Sequence, residues 1–360
     1  MDQGKSVILG LGSFVPENIV DNQALSNKVD TSDEWIRSRT GIKERRFAQA
    51  DESTSDLALG AAQKAIQESG ISTDLIDLVI VATITPDMAF PSTACQLQHK
   101  LGLGKVASFD LEAACSGFLY ALDVADAMLA SGRYQNALVV GAEKLSSIMD
   151  WEDRTTCVLF GDGAGAAVLT NSGEGPQLIG FKSGADGSNP TLLHQPAGGS
   201  LEPASMKTLE ARGHFLKMNG REIFKSAVRV MERAAREILY EHGYKESDVD
   251  HIIPHQANAR IVESLSQRLD IPLEKFYCNL DKYGNTSAAS IPTAFVDGIE
   301  DGSIKGGETM IITAVTIFTV IACRKHNDRT QGPIISRPAF CNSRRDCLKH
   351  FIKFKLSLII

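Results

Sequence analysis

"DLEAACSGFLYALDVADAMLASG", residues 110–132, sets a single cysteine, Cys115, between an apolar lead-in and a helical pattern. Phe118, Leu119, Leu122, Ala125, Met128 and Leu129 recur at the spacing of one helix face, so a helix begins close to Cys115. Gly132 stands where such a helix stops. A thiol in the first turn of a buried helix invites two readings. It is a small hydrophobe, as buried cysteines commonly are. Alternatively it is a nucleophile, because unpaired backbone N–H groups and the helix dipole stabilise a thiolate there and lower its pKa. Ser116 and Gly117 are small and leave room for a substrate to approach the sulfur.

Outward from this stretch, apolar β-branched runs alternate with amphipathic segments. Residues 77–83, 136–143, 164–170, 250–255 and 309–315 read as strands; 54–70, 220–243 and 258–270 read as helices. Strands separated by helices of this length predict an α/β fold with largely parallel sheets. A faint internal echo is present. Near position 70 and again near position 243, a helix ending in glycine leads through an acidic linker into a buried strand. Two α/β halves fit this pattern, with a boundary in the Gly-rich "NSGEGPQ" (171–177).

The chain has 360 residues, 43% of them hydrophobic, enough for a large core or two similar domains. Its N-terminus is acidic and passes directly into a strand-like segment, and its longest apolar run, Met310 to Cys323, is shorter than a membrane span and holds three threonines. A soluble cytoplasmic protein without a transmembrane segment is expected. The seven cysteines include no CxxC pair, so reduced thiols are expected and a metal site is not. The net charge of -7 conceals an asymmetry: residues 323–360 carry nine Lys/Arg against two Asp, a net of +7, leaving -14 for residues 1–322. The acidic body is not a nucleic-acid binder by charge.

Two further element junctions carry polar groups. "PHQANARI" (254–261) places His255 at the end of a buried strand, where α/β sheets put ligands and catalytic groups, although a structural histidine is the common alternative. "YGNTSAASIPTAF" (283–295) places Asn285 before small residues and a helix, where it could serve as a simple N-cap. Two glycine-rich segments are decoys. "GLGSFVP" (10–16) lacks the third glycine of a dinucleotide loop, and "LFGDGAGAAVL" (159–169) lacks the Lys-Ser/Thr ending of a P-loop. Both read as places where backbones approach closely.

Together "VDTSDEWIRSRTGIKERR" (29–46), "AFPSTACQLQ" (89–98), "EAACSGF" (112–118), "FGDGAGAAVL" (160–169), "PHQANARI" (254–261) and "GNTSAAS" (284–290) resemble the β-ketoacyl-acyl carrier protein synthase III family of thiolase-superfamily condensing enzymes. The resemblance runs from about residue 5 to about residue 315. It implies a thiolase-like fold: two similar α/β halves, residues 1–174 and 175–322, with mixed five-stranded sheets in an α-β-α-β-α arrangement. It also implies that Cys115 accepts an acyl group and that His255 and Asn285 complete a catalytic triad. Acetyl-CoA would be a substrate, malonyl-acyl carrier protein the acceptor, and no cofactor would be required. Trp35, Arg39 and Arg154 would receive the CoA portion, and Arg260 would help dock the acidic carrier protein. Phe90 would reach across a homodimer interface to close the acyl pocket.

The chain departs from the family beyond about Val315. A Gly-rich turn of the GGGxTWG kind supplies one oxyanion-hole N–H in the family, the other coming from the nucleophile; here Thr316, Ile317 and Phe318 stand in its place. Side chains there would crowd the pocket and resist positive φ. Residues 323–360 are basic, aperiodic and expected to be disordered. The preferred account is a shifted reading frame or a faulty gene end beyond about Val315, and a genuine basic or membrane-touching tail is the alternative. The leading expectation is the decarboxylating condensation that initiates type II fatty acid synthesis. A related condensing enzyme of secondary metabolism and a catalytically impaired binding homologue are its rivals.

Overall fold

The computed structural model describes residues 6–315, 319–322 and 357–359. Strands Ala107–Leu111, Leu78–Ala82 and Asn136–Glu143 lie side by side and parallel. Gly163–Thr170 then pairs antiparallel with Asn136–Glu143 and with Val7–Phe14, completing a mixed five-stranded sheet. In the second half, His251–Pro254 runs parallel to Thr309–Val315, which pairs antiparallel with Thr319–Ala322. The sheets are therefore mixed rather than largely parallel, because the strands beyond Asn136–Glu143 return without a helical crossover. Gln177–Leu178 and Ser357–Ile359 connect the two halves into one eleven-stranded sheet. The remaining tail residues, 323–356 and 360, lie outside the described residues, as do Thr316, Ile317 and Phe318.

Period-two alternation decides which helix each strand face meets. Leu78, Ile80 and Ala82 pack with Phe118, Leu119 and Leu122 of helix Gly117–Ala130, while Val79 and Val81 pack with Leu57, Ala58 and Ala61 of helix Thr54–Ser69. The first of these cores also takes in Ile252, Ile253, Ile291 and Phe295, so it spans both halves, with helices Gly117–Ala130 and Ser290–Glu300 contributing from each side. The layered thiolase-like architecture follows. The two decoy segments behave as close approaches: a Cβ on Gly10 would come within 2.3 Å of the Ala65 carbonyl oxygen, and one on Gly165 within 2.6 Å of the Pro292 ring. Neither glycine faces a nucleotide site.

The internal echo is structural. Helix Thr54–Ser69 ends at Gly70, a 3-10 turn covers Thr73–Leu75, and strand Leu78–Ala82 follows; helix Gly220–Glu241, Gly243, turn Glu246–Asp248 and strand His251–Pro254 repeat that order. Gly70 and Gly243 adopt φ of 70° and 74°, the left-handed stop that glycine takes without strain. The repeat extends to the two central helices. Each is entered through a 3-10 turn opened by a non-glycine residue at positive φ, Ala114 (44°) in one half and Ser287 (49°) in the other. Such backbone costs of order 1–3 kcal/mol and persists where the surroundings over-determine it. The fold thus sets Cys115 and the segment after Asn285 at equivalent, facing corners.

Candidate active site

Strand Ala107–Leu111 delivers the chain to the turn Ala114–Ser116, which places Cys115 just before helix Gly117–Ala130. The thiol is 8% exposed. Burial, chiefly, pushes it up to about 12, with the Ser287 hydroxyl lowering it and the nearby Glu143 carboxyl raising it. The lowering expected from a helix N-terminus is therefore outweighed by desolvation, and the resting group is a thiol. Ser287 lies close enough to influence both Cys115 and Glu143, yet its buried oxygen makes no well-formed hydrogen bond among the described residues.

His255 leaves the end of strand His251–Pro254, its backbone N–H donating to Thr313 O at 2.7 Å. Burial pushes its imidazole down to about 3, so the ring is neutral. Nδ1 lies 2.7 Å from Ser290 Oγ, and that oxygen also accepts from the Gln256 N–H at 3.4 Å. The Ser290 hydroxyl can donate to Nδ1, and in that arrangement the ring proton sits on Nε2. Asn285 is held at three points. Its N–H donates to Leu159 O at 2.9 Å, its carbonyl accepts from the Gly161 N–H at 3.0 Å, and its side-chain Oδ1 accepts from the Ser287 N–H at 2.8 Å. With Oδ1 engaged, the amide NH2 is the group left to meet a ligand.

Cys115, His255 and Asn285 line one cavity of about 110 Å³. Its other walls include Gly220, Ile223, Phe224, Ala227 and Met231, one face of helix Gly220–Glu241. Three residues far apart in sequence thus meet with one thiol and two neutral donors around an apolar channel. That set suits acyl transfer through sulfur and stabilisation of a developing enolate.

Trp35 sits half-buried on helix Asp33–Thr40, flanked by Arg39 at 4.7 Å and Arg154 at 5.3 Å from its ring centre. Arg154 is also paired with Asp30 at 3.0 Å. Asn258 donates to Arg39 O at 3.1 Å and caps helix Ala259–Leu269, so exposed Arg260 stands on the same rim. Asn258 itself lines the cavity, whereas Trp35, Arg39, Arg154 and Arg260 do not. Phe90 is not brought to this cavity. It is 84% exposed, beyond a second cavity of about 490 Å³ lined by Ala89, Ala114, Leu193 and Leu216. Sequence reasoning missed Ser287, Ser290 and Glu143. The spacing of Ile223, Phe224, Ala227 and Met231 could have marked a channel wall, since it is a helix face beside the thiol half.

The family described as 3-oxoacyl-[acyl-carrier-protein] synthase III matches residues 109–187, and its C-terminal counterpart matches residues 239–318. A β-ketoacyl-[acyl-carrier-protein] synthase III of Natranaerobius thermophilus is 53% identical over 301 residues, 83% of this chain and 92% of that protein. One of Aquifex aeolicus is 48% identical over 308 residues, 86% of this chain and 94% of that protein. The crystal structure of the Aquifex aeolicus 3-oxoacyl-[acyl-carrier-protein] synthase III superposes with a TM-score of 0.80 at 47% identity, covering 88% of this chain and 98% of that one. A chain with this fold, this cavity and this degree of likeness belongs to the β-ketoacyl-acyl carrier protein synthase III family of acyltransferase-type condensing enzymes.

Proposed function

We propose that Cys115, His255 and Asn285 perform the family's condensation in this chain, the step that starts fatty acid synthesis. Cys115 Sγ attacks the carbonyl of acetyl-CoA; the acetyl group passes to sulfur, and CoA leaves with the thiol proton. Malonyl-acyl carrier protein then loses carbon dioxide. The electron pair of the broken C–C bond becomes an enolate, whose oxygen meets the Nε2–H of His255 and the amide NH2 of Asn285. The enolate carbon attacks the acetyl thioester, and acetoacetyl-acyl carrier protein leaves. Cys115 departs as thiolate and takes a proton from solvent. The balance closes without a metal, redox group or other cofactor.

One observation carries this reading: the buried thiol, the neutral imidazole and the engaged Asn285 amide line a single cavity. Trp35 with Arg39 and Arg154 would take the CoA adenine and phosphates, and Arg260 would meet the acidic carrier protein. The assignment of residues 1–174 to the thiol-bearing half and 175–322 to the His/Asn half belongs to the same reading. So does a homodimer, in which the exposed Phe90 of each copy closes the other's acyl pocket, working in the cytoplasm. Residues 323–360 form no part of the reaction as written.

The test is intact-protein mass after incubation with acetyl-CoA, followed by a chase with malonyl-acyl carrier protein, with Cys115→Ser in parallel. Acetylation that is lost in Cys115→Ser and discharged by the chase is the expected result. A folded chain that never takes acetyl would overturn the reading and favour a non-catalytic binding protein.

A further inference from the structure

We propose that Arg45 is a positioning residue that fixes the Asn285 turn to the frame of the substrate mouth. Arg45 is the middle residue of strand Glu44–Arg46 and is 0% exposed. Its guanidinium donates to three neutral acceptors: Val20 O at 3.0 Å, Asn22 Oδ1 at 2.9 Å and Val158 O at 2.8 Å. Burial lowers its pKa to about 10, so the group stays charged at neutral pH. A buried cation is costly unless its donors are used, and the rigid fork of arginine reaches three carbonyl-type oxygens that lysine's single ammonium cannot span together.

The two ends of this network are functional. Towards the mouth, Asn22 Nδ2 donates to Asp33 Oδ1 at 2.9 Å and to Ile42 O at 2.8 Å, bracketing helix Asp33–Thr40, which carries Trp35 and Arg39. Towards the chemistry, Val158 opens the segment whose Leu159 O and Gly161 N–H hold the backbone of Asn285. The aliphatic stem of Arg45 is wedged against both flanks of that bridge. A Cβ on Gly161 would lie 3.2 Å from Arg45 Cβ, and one on Gly284 would lie 3.3 Å from it. Arg46 O accepts from the Asp162 N–H at 2.8 Å, closing the clamp from the next residue. Arg45 therefore touches both segments that set where the Asn285 amide points, without itself reaching the cavity lining.

This inference rests on the assignment of Asn285 to enolate stabilisation, and the experiment separates the two. Arg45→Lys and Arg45→Met are compared with the parent chain and with Asn285→Ala. Amide hydrogen exchange needs no turnover. In Arg45→Lys, peptides covering residues 158–162 and 283–287 should exchange about 10-fold faster or more, with the strand Leu78–Ala82 unchanged. In the half-reactions at saturating substrate, Arg45→Lys should lower kcat for malonyl-acyl carrier protein decarboxylation about 10-fold, leaving the maximal rate of Cys115 acetylation within about 2-fold. Unchanged exchange at both segments, or faster exchange spread evenly over the chain, would overturn the proposal. Equal losses in both half-reactions would also overturn it, because a general loss of fold has no preference between them. If Asn285→Ala decarboxylates at the parent rate, the role of Asn285 fails instead, while the exchange result still decides whether Arg45 holds the turn.

Discussion

His255 Nδ1 and Ser290 Oγ lie 2.7 Å apart in a buried pair that joins the end of one strand to the first turn of a central helix. When the Ser290 hydroxyl donates in this contact, the ring proton is on Nε2 and the imidazole offers an N–H to an enolate. Ser290→Ala removes the donor to Nδ1 and frees the ring to take either tautomer. Malonyl decarboxylation should fall about 10- to 100-fold, while acetylation of Cys115 changes much less. A parallel fall in both steps would show that Ser290 serves only packing.

Because burial holds His255 at about 3, the ring should not gain a proton between pH 5 and 8. The sign for stability follows. An unfolded imidazole binds its proton near pH 6.5 and the folded one near 3, so the unfolded state binds more protons between those values. The contribution of His255 is thus complete above about pH 6.5 and is lost as pH falls towards 3. Imidazole NMR should show no titration of His255 above pH 5. A titration midpoint near 6.5 would mean that the ring is open to water and the neutral-donor assignment is wrong.

Glu143 lies beneath the thiol as a fully buried carboxyl, accepting from Thr85 Oγ1 at 2.7 Å and from Thr83 Oγ1 and the Ile84 N–H at 3.1 Å. Desolvation raises it to about 7 against the pull of these donors. Here the folded state binds the proton more tightly than the unfolded chain does. Its contribution is therefore present below about pH 4.5 and is lost as pH rises through 7, on the order of 3 kcal/mol in total. Glu143→Gln should remove that slope from the variant's own unfolding free energy, so the difference between the two proteins should carry it, changing by that amount as pH rises from 4.5 to 8. It should also speed alkylation of Cys115 above pH 7, where the carboxylate opposes the thiolate. A stability difference that is flat from pH 4.5 to 8 would show that Glu143 is not the titrating group.

The helices and strands were readable because their faces obey one period each. Residues 54–70 read as a helix and form Thr54–Ser69; residues 309–315 read as a strand and form Thr309–Val315. The convergence of Cys115, His255 and Asn285 was legible from their places at element ends and from the family motifs. Their protonation was not. A helix N-terminus can be read from sequence, whereas the desolvation that outweighs it at Cys115 depends on packing from both halves. Ser287 and Ser290 looked like two small residues in a run of five, Thr286 to Ser290, and nothing local distinguishes the hydroxyl that meets His255. Arg45 looked like one cation of a basic pair, since only the fold brings Val158 to its head group.

At the mouth, Trp35 is flanked by two guanidinium groups, and Arg154 is also bound to Asp30. The proposed function has the CoA adenine stack on Trp35 with these cations near its phosphates. Trp35→Ala should raise KM for acetyl-CoA about 10-fold with little change in kcat, the pattern of lost uniform binding. A fall in kcat at unchanged KM would place Trp35 in a different role.

The family resemblance puts an oxyanion-hole N–H where this sequence has Thr316, Ile317 and Phe318, residues outside those the structure describes. The other donor, the N–H of Cys115, sits in the turn opened by Ala114 at φ 44°. If the segment after Val315 supplies no second donor, the tetrahedral intermediate of acetyl transfer rests on the Cys115 N–H alone, and losing such a donor costs ~10²–10³ in rate. Replacing residues 316–360 by the Gly-rich turn and last strand of a family member should therefore raise the rate of Cys115 acetylation by about that factor. Alkylation of Cys115 by iodoacetamide, which needs no oxyanion hole, should change far less, and this separates a repaired hole from a more exposed thiol. If acetylation is already fast in the parent chain and the replacement adds nothing, the segment after Val315 supplies its donor despite its sequence. Resequencing the coding DNA then bears on the same point: an intact frame through residue 360 would make that segment a native part of the enzyme.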